Sequence, residues 1–269
     1  MSIVEAIIIA VVEGLTEFLP VSSTGHMIIT EKIMGVTDND FTKLFTVGIQ
    51  LGAILAVVVF YWKKFITPFA TGAKGMQFYG KLLVAVIPAL VLGFIFSDKI
   101  DALLESSLTV AITMITGGIV LLFIDNVFNK PGIEKEEQIS FPKAFIIGLW
   151  QCIAMIPGVS RSAASIVGGM QQRLTRSAAA EFSFFLAVPT MLAATGYKLL
   201  KYYKDYGGFS SNEIEQLAIG NVVAFVVALL AIRFFIGFLK KHGFKVWGYY
   251  RIIVGIALLI LIYTGYIKS

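Results

Sequence analysis

Charge is scarce in this sequence. Asp, Glu, Lys and Arg make up 14% of its 269 residues, where an ordinary soluble domain has roughly a quarter. That is too little to cover a water-facing surface. Cysteine is scarcer still, and the single Cys152 excludes an internal disulfide framework. With only two histidines beside it, there is no His/Cys set at zinc spacing. A glycine-rich nucleotide loop of the GxxxxGK(S/T) type is also missing, so nucleotide-driven chemistry has no support. The opening "MSIVEAIII" carries no basic stretch, and a cleaved signal peptide is not expected. What fills the chain is apolar: 57% of residues are hydrophobic and the mean hydropathy is +0.83. That composition indicates an all-α, multi-pass integral membrane protein in contact with membrane lipids. A net charge of +5 and a pI near 9.2 would suit nucleic acid if the basic residues shared one face. They lie instead in short loops between apolar runs, which is topology signalling, so no nucleic acid partner is expected.

Six segments are long enough to cross a bilayer, at about 20 residues each: roughly 43–62, 80–97, 107–127, 179–200, 214–239 and 247–266. Aromatic residues flank several as interfacial anchors, including Tyr61, Trp62, Trp247, Tyr249 and Tyr250. Two further apolar segments, 1–35 and 141–174, are each broken near the middle by a small, polar, Pro-containing stretch, "LPVSSTGH" (19–26) and "IPGVSRSAAS" (156–165). Pro, Gly and consecutive Ser end a helix. Non-helical backbone at membrane depth is tolerated only inside protein or beside water. Both segments therefore read as re-entrant helix–loop–helix hairpins.

The two halves correspond. Aligning residues 11–24 with 149–162 puts Glu13 on Gln151, Ser22 on Ser160, Ser23 on Arg161 and Thr24 on Ser162. Phe45 lies 23 residues after Ser22, and Phe182 lies 22 after Ser160. Each half is one hairpin plus three spans, 1–130 and 140–269 of a single membrane domain. Three is odd, so the halves enter the membrane in opposite senses as an inverted-topology repeat, and the two breaks meet at the midplane. Loops 63–80, 128–143, 171–178 and 240–246, with Lys81 at their border, hold twelve Lys and Arg; the opposite side, from Lys32 and Lys43 to Lys268, holds seven. The first side is then cytoplasmic and both termini lie outside.

Few polar residues interrupt the apolar body: Glu13, Glu17 and His26 in the first hairpin and Arg161 in the second. Each buried charge costs roughly 2.5–3.5 kcal/mol on insertion scales, so the set costs on the order of 10 kcal/mol and implies use. Glu13 and Glu17 are spaced i, i+4 and share a helix face. Two such carboxylates either share a proton or hold a hard cation such as Mg²⁺ or Ca²⁺. Snorkelling to an interface is excluded for Glu17, about 24 Å along the helix from Met1 at ~1.5 Å per residue. Ser22, Ser23 and Thr24 exceed what one helix cap requires, and the helix start they sit on is an anion site. His26 lies three residues from Ser23 with Glu17 upstream: a hydroxyl, a base and a carboxylate to orient it, the set that activates a nucleophile. Arg161, between Ser160 and Ser162, suits bidentate phosphate recognition or an ion pair with Glu17. Together these residues point to phosphoryl chemistry on a lipid-borne substrate. A secondary transporter or lipid flippase for an anionic substrate is the competing reading, since inverted repeats with broken helices also build transport sites. Small faces such as Gly117–Gly118 suit helix packing, and a homodimer is open to it.

At these residues the sequence resembles the undecaprenyl-diphosphate phosphatase family of the bacitracin-resistance type, which carries (E/Q)xxxE leading into PVSSTGH, and a second motif PGxSRSxxT. Here the first is "EGLTEFLPVSSTGH" (13–26), matching throughout, and the second is "PGVSRSAAS" (157–165), with Ser165 in place of Thr. The resemblance covers essentially the whole chain. It implies removal of the terminal phosphate from undecaprenyl diphosphate in the bacterial plasma membrane, recycling the lipid carrier for cell-wall synthesis and conferring bacitracin resistance, with a divalent cation assisting. It further implies a catalytic centre of Glu17, Ser23, Thr24, His26 and Arg161, supported by Glu13, Ser22, Ser160 and Ser162 and open to the outer face. On this reading Ser23 attacks phosphorus with His26 as base, or water attacks directly. Arg161, Ser22, Thr24, Ser160 and Ser162 hold phosphate, and Glu13 and Glu17 hold the metal.

Overall fold

The computed structural model describes residues 1–70, 72–96, 103 and 106–267, with the backbone alone at 70, 73 and 74. The expected end of the second span at 97, together with Lys99 and Lys268 of the charge count, lies outside the described residues. Within them the chain is helical. Helix α1 (Ile3–Thr16) starts from a capping box in which Ser2 and Glu5 satisfy each other's backbone, and α2 (Ser23–Met34) ends on the left-handed Gly35. There follow α3 (Asp40–Gly48), α4 (Gln50–Phe60), α5 (Trp62–Ala70), α6 (Ala73–Ile95) and α7 (Ser107–Val127). The second half holds α8 (Phe141–Cys152), α9 (Arg161–Gln171), α10 (Arg176–Tyr206), α11 (Ser211–His242) and α12 (Lys245–Tyr263).

Among the described residues six helical stretches are long and apolar enough to cross a membrane: Asp40–Phe60, Gly75–Ile95, Ser107–Val127, Arg176–Tyr206, Ser211–His242 and Lys245–Tyr263. The chain is thus built as a multi-pass membrane protein. α10 has 31 residues and is about 46 Å long, more than the ~30 Å of hydrocarbon requires. Residues 63–80, expected as a loop, are mostly helical. Charge marks that segment as extramembrane, but Trp62, Phe65, Ile66 and Phe69 recur at helical spacing, the pattern of an interfacial helix. Phe65 packs edge-on against Phe78 and Phe185, with centroids 5.7 and 5.8 Å away.

The first limb of each broken segment packs against a span of the opposite half: α1 lies along α11 and α8 along α6. The unbroken spans α7 and α12 also pair across the halves. These contacts bring backbones together: a Cβ on Gly148 would come 2.1 Å from the Ala85 carbonyl oxygen. The Gly117–Gly118 face is consumed inside the chain. A Cβ on Gly117 would meet the Arg251 guanidinium at 2.4 Å, and one on Gly118 the Gly248 carbonyl at 2.8 Å. At the end of the molecule richest in Lys and Arg, Lys81 donates to the carbonyls of Glu136 and Glu137 at 3.4 and 2.8 Å. Lys64 pairs there with both carboxylates.

Candidate active site

The two breaks have the same construction. After α1 the chain turns through Glu17–Val21, and Ser22 takes φ 70° before its hydroxyl accepts from Gly25 N at 3.3 Å to start α2. After α8 and a 3₁₀ turn (Ile153–Met155), Ser160 takes φ 76° and its hydroxyl accepts from Ala163 N at 3.2 Å to start α9. A positive φ is uncommon outside glycine and costs about 1 kcal/mol or more, so something must hold both serines there. The loops are stitched to each other: Ser162, expected among the phosphate ligands, is fully buried and donates to the Leu19 carbonyl at 2.8 Å. They are also clasped by Arg251. This fully buried guanidinium donates to Pro20 O (3.1 Å) in the first loop and to Gly158 O (2.8 Å) and Val159 O (2.9 Å) in the second. It reaches Thr113 O (3.1 Å) and Met114 O (3.3 Å) in α7 as well.

Between the loops lies a cleft of about 190 Å³. Glu17, Ser22, Ser23 and Thr24 line one part of it, Pro157, Gly158, Ser160 and Arg161 another, and Gln50 and Met191 come from the spans. Ser23 Oγ donates to Glu17 Oε2 at 2.7 Å. Glu17 Oε1 accepts from Arg161 Nη2 at 3.1 Å, a pair drawn from opposite halves of the chain. Arg161 is held from behind by Ser183, whose carbonyl and hydroxyl accept from Nη1 at 2.9 and 3.3 Å, and by the Phe18 ring at 5.7 Å. Its Nε is buried with no partner among the described residues. Ser165 bonds Ser183 Oγ at 2.6 Å and the Arg161 carbonyl at 2.8 Å. Its hydroxyl therefore shores up the arginine.

His26 is oriented differently from the expected nucleophile–base–carboxylate order. Nδ1 lies 2.7 Å from the Ser22 carbonyl and so carries the proton, while Nε2 meets the Tyr250 hydroxyl at 2.8 Å. The two rings are parallel, with centroids 5.5 Å apart. The carboxylate takes the serine hydroxyl directly, and the histidine holds the carbonyl of the strained Ser22. One helical turn before Glu17, Glu13 is fully buried, and neither of its carboxylate oxygens has a hydrogen-bond partner among the described residues. No group of three or more His, Cys, Asp and Glu suited to a metal occurs among the described residues. Two carboxylates, one with both oxygens unspent, nevertheless suit a hard divalent ion.

A family model described as bacitracin resistance protein BacA matches residues 6–257. The chain belongs to that family. It is 62% identical to the undecaprenyl-diphosphatase of Flavobacterium psychrophilum, over 97% of this chain and 96% of that protein. It is 54% identical to the undecaprenyl-diphosphatase of Porphyromonas gingivalis (strain W83), over 98% of each chain. With the undecaprenyl-diphosphatase of Aquifex aeolicus the identity is 42%, over 94% of this chain and 95% of the other. Four residues of this BacA-family chain escape a motif-based reading: Arg251, Tyr250, Ser183 and Gln50. Tyr250 and Arg251 sit in "WGYYR", which looks like an interfacial anchor. Ser183 is a small hydroxyl in an apolar run. Gln50 had a signal, an uncharged amide in the middle of an apolar span.

Proposed function

We propose that the cleft is where this chain hydrolyses undecaprenyl diphosphate to undecaprenyl phosphate and inorganic phosphate. The observation that carries the reading is the line Ser23–Glu17–Arg161, hydrogen-bonded at 2.7 and 3.1 Å between two helix starts. Two helix N-termini facing one cleft fit two linked phosphates, because each offers unpaired N–H groups and the positive end of a dipole. Arg161, Thr24 and the capping serines Ser22 and Ser160 bind the diphosphate, and Ser162 fixes the distance between the loops. Ser23 Oγ attacks the terminal phosphorus and gives its proton to Glu17. The bond from that phosphorus to the bridging oxygen breaks, and the lipid monophosphate leaves. Water then cleaves the phosphoserine, releasing inorganic phosphate and restoring Ser23. Attack by water in place of Ser23 is the variant of this scheme that Ser23→Ala tests. Loss of turnover in a folded protein supports the covalent route, and near-normal turnover removes it. A divalent ion, Mg²⁺ or Ca²⁺, held by Glu13 and Glu17 would supply charge neutralisation. Positioning and charge are the main sources of acceleration in phosphoryl transfer.

The architecture proposed is an inverted-topology repeat of 1–130 and 140–269. Matching positions Ser22 and Ser160, with the same positive φ and the same i+3 cap, support it. So does the packing of α1 on α11 and of α8 on α6. The cleft is proposed to open to the outer face, and the excess of Lys and Arg on one side supports the orientation of the chain that goes with it, both termini outside. The test is phosphate release from undecaprenyl diphosphate by detergent-purified protein, with a chelator control and Arg161→Ala beside it. Release that needs a divalent ion and falls about 10³-fold in the variant is expected. No release from folded wild type across several metals sinks the reading and favours the transporter, to be pursued with flux assays.

A further inference from the structure

The first span contains a tightened turn. Asp40–Phe60 is 21 residues long, and within it the Ile49 carbonyl accepts from Gly52 N at 3.1 Å as well as from Ala53 N at 3.4 Å. That point is about 15 Å from the Asp40 end, half-way through the hydrocarbon. That turn is braced from the other half of the chain. Gly52 N–H donates to Asn221 Oδ1 at 2.6 Å, and the Val47 carbonyl accepts from Thr195 Oγ1 at 3.1 Å. Asn221 is in turn fixed by donating to Leu217 O at 2.8 Å. Ile49 N bonds Phe45 O at 3.0 Å and Gly52 N also bonds Ile49 O, so the backbone stays satisfied through the tightened turn, as membrane depth requires. The residue after Ile49, Gln50, lines the cleft together with Glu17, Ser23 and Arg161.

Two other amides of the spans and hairpins use their N–H groups inside the chain: Gln151 Nε2 donates to Thr190 Oγ1 at 3.1 Å, and Gln216 Nε2, near the start of α11, to the Met1 carbonyl at 2.6 Å. The Gln50 side-chain amide has no such partner among the described residues. A primary amide left unpaired in a polar cleft at mid-membrane is available to a ligand. We propose that Gln50 is a third source of substrate contacts, its amide N–H donating to a non-bridging oxygen of the diphosphate. The tightened turn at Ile49 would then help to direct it into the cleft. This rests on the phosphatase reading of the cleft. A neutral donor fits that place: the cleft already holds a carboxylate paired to a guanidinium, and an amide adds a phosphate contact without disturbing that balance. Gln50→Glu keeps size and shape but turns an acceptor-only, anionic group toward the phosphates.

The experiment measures phosphate release from undecaprenyl diphosphate by wild type, Gln50→Ala and Gln50→Glu in detergent. Inhibition by inorganic pyrophosphate and thermal melting are measured on the same preparations. Gln50→Ala is expected to lose about 10- to 100-fold in kcat/KM, the range for removing a neutral donor from a charged acceptor. Inhibition by pyrophosphate should weaken in parallel, melting should stay unchanged, and Gln50→Glu should lose more than Gln50→Ala. Should Gln50→Ala fail to fold, the isosteric Gln50→Glu decides on the same readouts. Activity and pyrophosphate inhibition within about twofold of wild type in the folded variants overturn this inference alone. Absence of release from wild type overturns it together with the reading of the cleft.

Discussion

Two arginines lie deep in this molecule, and their partners differ in kind. Arg161 shares its guanidinium with a carboxylate, a hydroxyl and one carbonyl, and keeps a buried Nε unspent. Arg251 gives hydrogen bonds from all three of its nitrogens to five backbone carbonyls, from both loops and α7. The first is an ion pair with spare donor capacity at the edge of a cleft, able to exchange Glu17 for phosphate as substrate arrives. The second has nothing left to offer a ligand. A buried charge is commonly taken as a mark of function, but depth does not distinguish these two residues; the unspent donor does. Arg251 has a structural task of its own: the two loops, each carrying a serine at positive φ, have no regular ladder to hold their carbonyls, and one guanidinium reaches both.

That contrast is broken if both arginines fail in the same assay. The largest effect expected is on folding. Arg251→Ala strands five carbonyls in the interior, each worth about 1–3 kcal/mol when left unsatisfied. A melting temperature lower by about 10 °C or more, or failure to accumulate in the membrane, is expected. Arg251→Lys should rescue little, because an ammonium has three donors and no planar fork. Arg161→Ala should instead melt within a few degrees of wild type while losing about 10³-fold in turnover, and Arg161→Lys should recover part of it. A stable, well-folded Arg251→Ala protein would remove the clasp.

Sequence reasoning reached Arg161 and not Arg251, and the reason is physical. Arg161 announces itself because it sits in a stretch that breaks a helix, "IPGVSRSAAS", where Pro, Gly and Ser leave no other reading. The spans were legible for a related reason, since length and apolarity are counted along the chain. Arg251 sits in regular helix one residue from Tyr250, beside aromatic residues, where snorkelling to an interface is the ordinary expectation. Its role depends on what packs opposite, Gly117 and the two loops, and that is set by tertiary structure. The order of hydrogen bonds around Ser23 was hidden likewise. Spacing puts His26 on the same helix as Ser23, but the ring's direction is decided by Tyr250, 224 residues away. The helix over 62–70 was missed because its lysines were weighed before its periodicity.

A smaller effect sharpens the comparison on α12 itself, where Tyr250 precedes Arg251. The two residues divide the labour: Arg251 holds the loops, and Tyr250 acts through His26 on one carbonyl of the first loop. Tyr250→Phe removes a single hydrogen bond and keeps the stacked ring. A fall of about 3- to 10-fold in kcat/KM is expected, equivalent to about 0.5–1.5 kcal/mol, with melting unchanged. Full activity in Tyr250→Phe would mean that the Ser22 carbonyl alone orients His26.

The smallest effect belongs to a cation outside the membrane. Lys64 pairs with Glu136 and Glu137, and its side chain is 40% exposed. Partial burial by itself lowers an ammonium pKa, but the hydrogen bonds to Glu136 and Glu137 outweigh it and hold Lys64 above the ordinary lysine range. Burial would raise Glu137, yet the bond from Lys64 leaves that carboxyl below the ordinary range. The signs set the window. The raised lysine contributes stability below its unfolded pKa of about 10.4 and loses it as pH rises through the folded value. The depressed carboxylate contributes above about 4.3 and loses it as pH falls through its own folded value. Glu137→Gln should therefore cost under about 1 kcal/mol near neutral pH, because Glu137 is 62% exposed and water screens its pair with Lys64. The difference from wild type should shrink in about 1 M salt and below about pH 4. A cost as large as that of Arg251→Ala, insensitive to salt, would mean that Lys64 is a clasp rather than a surface pair, and that number of partners does not rank these cations after all.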